Sequence, residues 1–131
     1  MVFEGSRFPL AAGGISAALA VVAGAFGAHA LRDSLDPRMA EAFETAARYQ
    51  MYHALALIAV GLAGTHAIQK RRALFITAGN WFLGGTLLFS GSLYLMVLTG
   101  QKWLGTITPF GGVSFIAGWV LFTYAVVRRN S

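Results

Sequence analysis

The chain of 131 residues contains no cysteine, which excludes disulfide bonds, thiol catalysis and cysteine-ligated metal sites. It is also poor in charge, because Asp, Glu, Lys and Arg make up 11% of its residues, whereas soluble domains average about 25%. Hydrophobic residues make up 56% of the chain, more apolar surface than a soluble domain of this size can bury. Together these proportions indicate an integral membrane protein.

Charged side chains are missing from four long segments, residues 8–31, 49–69, 73–101 and 103–127. As a helix, each can cross a hydrocarbon core of about 30 Å, because a helix rises about 1.5 Å per residue. The first exceeds the apolar core of about 7–15 residues of a signal peptide, so we interpret it as a transmembrane helix. We predict an all-α fold, a four-helix transmembrane bundle forming one domain over residues 1–131. Its helices are expected over about residues 8–31, 37–68, 73–99 and 109–128.

Basic residues lie at the ends of these segments and not on one face. The net charge of +5 is therefore typical of membrane-flanking charges and does not indicate a nucleic-acid partner. If four helices cross the membrane, both termini share one side with six of the ten basic residues: Arg7, Lys70, Arg71, Arg72, Arg128 and Arg129. The positive-inside rule then predicts that both termini are cytoplasmic.

One polar segment, residues 32–48, holds seven charged residues and includes the first half of the second helix. Asp36 can cap this helix, and Pro37 suits its first position. Apolar residues recur there at three- and four-residue steps, which predicts an external amphipathic segment. Its apolar face should lie toward the bundle or the lipid head groups: Met39, Phe43 and Ala47.

Small residues form a stripe on the first helix. Ala20, Gly24 and Ala28 are spaced by four, and Gly27 lies beside them. In lipid, such stripes let helix backbones approach closely. We therefore predict that this face packs against another helix and is not a ligand site.

Polar residues of the apolar segments converge on one end of the predicted bundle, in the outer leaflet. They are candidates for a ligand site or for a structural hydrogen-bonded cluster: His29, Tyr49, Gln50, His53, Ser90, Ser92 and Thr108. Because polar groups in hydrocarbon need partners, we favour the structural cluster. We also expect His29 and His53 to lie close enough to share a partner, since their helices are joined by a short connection.

The same residues argue against several kinds of chemistry. Zinc takes four ligands, or three and a water, and two histidines with no carboxylate in the apolar segments do not supply them. We therefore expect no metal and no cofactor. A catalytic triad lacks its acid, and no phosphate-binding loop is present. A proton-coupled transporter generally needs an ionisable group within the membrane, and only histidine could serve here.

Five runs of sequence carry a resemblance to a known family. They are GAFGAHAL at residues 24–31, FETA at 43–46, YQMYHALAL at 49–57, LFSGSLY at 88–94 and ITPFGG at 107–112. In this order they resemble a family of small uncharacterised membrane proteins that occurs in bacteria and includes the eukaryotic transmembrane protein 256. The resemblance covers residues 14–119. It implies a multi-pass protein of the bacterial inner membrane with four helices, and it implies no reaction.

The interpretation that these observations favour is a structural or accessory membrane protein without enzymatic activity. Its partners would be membrane lipid, a second copy of the chain or a larger membrane complex. One alternative is a small-molecule or proton transporter with an outer-leaflet site at His29, His53 and Ser90. Another is a membrane protein or enzyme that binds a metal or a quinone.

Overall fold

The structure is a computed structural model that describes residues 4–31 and 33–128. All regular structure in this part is helical, which confirms the predicted all-α fold. Helix α1 (Glu4–Phe26) continues into a π-helical turn (Gly27–Leu31), and α2 (Pro37–Thr65), α3 (Gln69–Thr99) and α4 (Thr108–Val127) follow. A 3-10 helix (Lys102–Thr106) joins α3 to α4. Two of the ten basic residues, Arg32 and Arg129, lie outside the described residues.

Three of the helical segments are long and apolar enough to cross a membrane: Arg7–Leu31, Gln69–Thr99 and Lys102–Val127. Helix α2 has 29 residues but carries more polar side chains. It packs along α1 on one side and α3 on the other, so its polar groups can find partners within the protein. The lower apolarity of α2 therefore reflects its place inside the bundle.

Each helix runs antiparallel to the one before it, and the extensive interfaces join consecutive helices. The core lies mainly between α2 and α3, where Leu57, Val60, Phe75 and Phe82 are almost fully buried. Large apolar side chains on the outer faces of α1 and α4 are exposed, as at Val22. This distribution is that of a protein surrounded by lipid.

Glycines let α3 and α4 approach closely. A Cβ atom at Gly111 would lie 2.7 Å from Cα of Phe89, and one at Gly118 would lie 2.7 Å from the ring of Phe82. A Cβ at Gly85 would lie 2.5 Å from the ring of Phe115. The close contact between α3 and α4 therefore depends on glycines of both helices, which sequence analysis did not single out.

The amphipathic start of α2 is packed as predicted. The Asp36 side chain accepts a hydrogen bond from the Arg38 backbone N–H at 3.0 Å, and Pro37 is the first helical residue. Phe43 is 6% exposed, whereas Glu41 is exposed. The apolar face is thus part of the bundle, and the charged face points away from it.

Helix α3 begins at Gln69, four residues before its predicted start, and so includes the basic run expected to be a loop. Arg72 explains this difference, because it donates to the carbonyls of Gly64 at 3.0 Å and Ala67 at 3.1 Å, at the end of α2. Arg71 donates to the carbonyl of Ala125 at 3.0 Å, near the end of α4. Cations are favourable at helix C-termini, so these arginines tie three helix ends together.

Candidate functional site

Gln50 connects three helices. Its amide nitrogen donates to the backbone carbonyl of Ser16 on α1 at 3.1 Å, and its amide oxygen accepts from the Tyr94 hydroxyl on α3 at 2.6 Å. The side chain is 7% exposed. Because Gln50 has partners for its donor and its acceptor, its side chain joins α1, α2 and α3 within the bundle.

Ser90 and Ser92 of α3 are also hydrogen-bonded within the bundle. Ser90 donates to the carbonyl of Ala46 at 2.7 Å and so binds α3 to α2. Ser92 donates to the carbonyl of Phe89 at 2.9 Å, and its oxygen lies 2.6 Å from the hydroxyl of Thr108. Because Ser92 has a single proton, Thr108 is the donor of the second bond. These hydroxyls hold α2, α3 and α4 together.

His53 is buried in an aromatic cluster and hydrogen-bonded at both ring nitrogens. Nε2 accepts from the indole N–H of Trp119 at 3.1 Å, and Nδ1 lies 2.8 Å from the carbonyl of Tyr49. Because indole is only a donor, Nε2 must be the acceptor, and the proton sits on Nδ1. The ring stacks on Phe115 at 3.5 Å between centroids. This arrangement holds a neutral imidazole and leaves no free nitrogen for a metal or a transported proton.

We predict that the bond between His53 and Trp119 contributes to stability. His53→Leu leaves the indole N–H of Trp119 without its acceptor, and Trp119→Phe removes the donor. Each should lower the free energy of unfolding by about 1–3 kcal/mol. The coupling between them should be about 0.6 kcal/mol, the average for interhelical hydrogen bonds in a membrane protein, and at most about 1.7 kcal/mol. Reversible unfolding of both single variants and the double variant in mixed micelles measures it, with the exposed His29→Leu as control. Strictly additive losses would contradict the bond.

His29 does not share this site. It lies exposed in the π-helical turn after α1, where neighbouring Gly27 contacts Phe43 near the start of α2. From Phe43 to His53 the helix rises roughly 15 Å. The prediction that the two histidines share a partner is therefore wrong, because the first half of α2 is packed in the bundle and separates them. A site built from His29, His53 and Ser90 is not assembled.

The small-residue stripe of α1 divides into two parts. Ala20 is buried against α2, and Gly27 lies where a Cβ atom would come within 2.7 Å of the Phe43 ring. At Gly24, none of the described residues would come within 4 Å of such an atom, and Ala28 is exposed. Only part of the predicted packing face makes close contact, and the rest lines an open space.

That open space is a groove of about 540 Å³ between the end of α1 and the start of α2. Ala20, Phe43 and Ala47 form its buried floor. We call it the α1–α2 groove. The π-helical turn closes one end, since Gly27, Ala28 and Leu31 all line the groove. Its volume is within the range of about 300–1,000 Å³ that is typical of small-molecule sites.

Both signs of charge lie at the rim of the α1–α2 groove. Glu44 and Arg48 form an ion pair at 2.9 Å, with side chains 72% and 47% exposed. The floor has no titratable group, and among the described residues no three His, Asp or Glu side chains are grouped to hold a metal. This arrangement is suited to binding an amphiphile.

Comparison with known proteins identifies relatives. Residues 23–112 match the family described as "Protein of unknown function (DUF423)". The chain is 44% identical over 117 residues to a UPF0382 membrane protein of Staphylococcus aureus, covering 88% of this chain and 92% of the relative. It is 40% identical over 121 residues to the UPF0382 membrane protein YwdK of Bacillus subtilis, covering 88% and 93%. It is 38% identical over 124 residues to the UPF0382 inner membrane protein YgdD of Escherichia coli, covering 94% and 92%. No solved structure matches the chain.

Proposed function

The chain belongs to the DUF423 family of small bacterial membrane proteins, and from this premise we propose that it is a non-enzymatic accessory protein of the inner membrane that binds lipid. The observation that carries the proposal is the α1–α2 groove. It has an apolar floor, a charged rim and a position at one end of the membrane-crossing helices. A lipid offers the matching combination of acyl chain and polar head group.

The hydrogen bonds of the buried polar groups favour lipid binding over transport. Gln50, His53 and Ser90 are each hydrogen-bonded to at least one neighbouring helix. A transported proton or solute would have to displace those bonds. The groove can accept a ligand without disturbing them.

Filling the groove tests the proposal. Gly24 faces the open space, so Gly24→Leu should occupy the volume that an acyl chain would take. We expect lipid retained through purification, measured by native mass spectrometry, to fall about tenfold, equivalent to about 1.4 kcal/mol. Gly14→Leu is the matched control, because Gly14 is exposed on α1 outside the groove, and no described residue would come within 4 Å of a Cβ there. Equal lipid in the parent and in Gly24→Leu would refute the proposal.

We further propose that both termini face the cytoplasm, on the basis of the six-to-four distribution of basic residues. Exposed lysines lie at the two ends of α3, Lys70 in its first turn and Lys102 just beyond its last. Because the chain has no cysteine, Lys70→Cys and Lys102→Cys are clean reporters. An impermeant thiol reagent should label Lys102→Cys in intact spheroplasts and Lys70→Cys only after lysis. The reverse labelling pattern would show that both termini face away from the cytoplasm.

A further inference from the structure

We propose that the α1–α2 groove selects a zwitterionic lipid with a primary ammonium group, of the phosphatidylethanolamine type. Arg48 would contact the phosphate, Glu44 would contact the ammonium, and one acyl chain would lie along the floor. This inference rests on the proposed lipid-binding function and adds the chemical class of the head group.

The charges at the rim are placed for such a head group. Glu44 and Arg48 are one helical turn apart, and both line the groove. In phosphatidylethanolamine an ethylene link joins the phosphate to the ammonium, so the lipid also carries its two opposite charges close together. Guanidinium groups bind phosphate oxygens through two parallel hydrogen bonds, and a carboxylate accepts from an ammonium.

The ion pair between Glu44 and Arg48 does not prevent these side chains from binding a lipid head group. Both side chains are substantially exposed, and exposed pairs contribute little to stability. Replacing one mutual contact by two contacts to a lipid keeps both charges paired. The rim therefore presents two charged partners at low cost to the fold.

The chemistry of the rim also discriminates between lipids. A choline head group has no N–H to donate to Glu44, so it loses one of the two contacts. A phosphatidylglycerol head group has no cation and brings a negative charge toward the Glu44 carboxylate. Phosphatidylethanolamine alone of these three satisfies both side chains.

The floor of the groove provides an apolar surface for the acyl chain. Ala20, Gly24 and Ala28 leave the space that larger side chains would fill, and the floor carries apolar atoms from Phe43 and Ala47. The groove ends against a π-helical turn, a form of helix found frequently at functional sites. The position of the charges at the rim and of the small residues below it matches the two parts of a lipid.

The test is competitive binding of an equimolar mixture of phosphatidylethanolamine, phosphatidylcholine and phosphatidylglycerol to delipidated protein, read by native mass spectrometry. The parent should prefer phosphatidylethanolamine about tenfold, as expected for a charge-assisted contact. Glu44→Gln should remove this preference, and Glu44→Lys should shift it to phosphatidylglycerol. Arg48→Gln should weaken binding of all three. Glu41→Gln, an exposed carboxylate on α2 outside the groove, should behave as the parent.

The outcomes separate this inference from the function on which it rests. Binding that Gly24→Leu blocks but that shows no head-group preference would overturn the inference and leave lipid binding in place. An unchanged preference in Glu44→Lys would also overturn it. No binding of any of the three lipids would overturn both.

Discussion

Gly111→Leu should separate α3 from α4 and lower the free energy of unfolding by about 3 kcal/mol or more, at the upper end of the costs of overpacking. The reason is that the new side chain would meet backbone atoms. A Cβ at this position would lie 2.7 Å from Cα of Phe89, which cannot rotate away as a side chain can. Thermal unfolding in detergent, followed by tryptophan fluorescence, measures the loss.

The neighbouring glycine provides the control. None of the described residues would come within 4 Å of a Cβ at Gly112, so Gly112→Leu should face lipid and unfold near the parent temperature. Both variants add the same side chain at adjacent positions of one helix. Equal stability of the two would show that α3 and α4 do not approach as closely as described.

Phe43→Asp should destabilise the protein by about 3–5 kcal/mol, the cost typical of removing a buried phenylalanine ring. Phe43 is 6% exposed and packs against the Tyr94 ring at 5.1 Å between centroids and the Phe26 ring at 6.5 Å. The carboxylate would replace these contacts and would place a charge at a buried position. The loss of folded protein can be followed by size-exclusion chromatography after heating in one detergent.

Phe43→Leu separates the two contributions, because it keeps an apolar side chain and should cost less than about 1.5 kcal/mol. If Phe43→Asp melted with the parent, the first half of α2 would be a loosely attached segment, contrary to its burial. If both variants were equally harmful, ring packing would dominate and the charge would be secondary.

The elements of this fold could be predicted from the sequence because they depend on local patterns. The uncharged runs mark the helices, and the period of Phe43 and Ala47 marks the buried face of α2. The N-terminal signals at Asp36 and Pro37 place the start of that helix correctly. Each inference uses residues a few positions apart.

The partners of the polar residues could not be predicted, because they depend on the relative positions of distant helices. His53 bonds to Trp119, which is 66 residues away, and Gln50 bonds to Tyr94, 44 residues away. Ser90 donates to the carbonyl of Ala46, which is 44 residues away on α2, and the pattern around either residue does not indicate this pairing. The start of α3 at Gln69 likewise depends on carbonyls at the ends of other helices.

The α1–α2 groove is lined by the small-residue stripe of α1. The sequence predicted this stripe to be a packing surface. Small residues leave space, and that space is filled by a neighbouring helix only if the helix stays close. Ala20 and Gly27 keep contact with α2, but Gly24 and Ala28 do not. The composition of a stripe therefore predicts available volume, and only the path of the neighbouring helix determines what occupies it.

The pairing of each helix with its predecessor has a consequence for biogenesis. A nascent chain can form each interface as soon as the next helix enters the membrane, and contacts between successive segments form rapidly. Contacts between α2 and α4 form later, and among them the bond from Trp119 to His53 spans 66 residues. At translation rates of about 5–20 residues per second, roughly 3–13 s pass between synthesis of the acceptor and of its donor. During that interval the imidazole must be solvated by water or held by the insertion machinery, so arrest of translation before α4 should leave the intermediate most exposed to proteolysis.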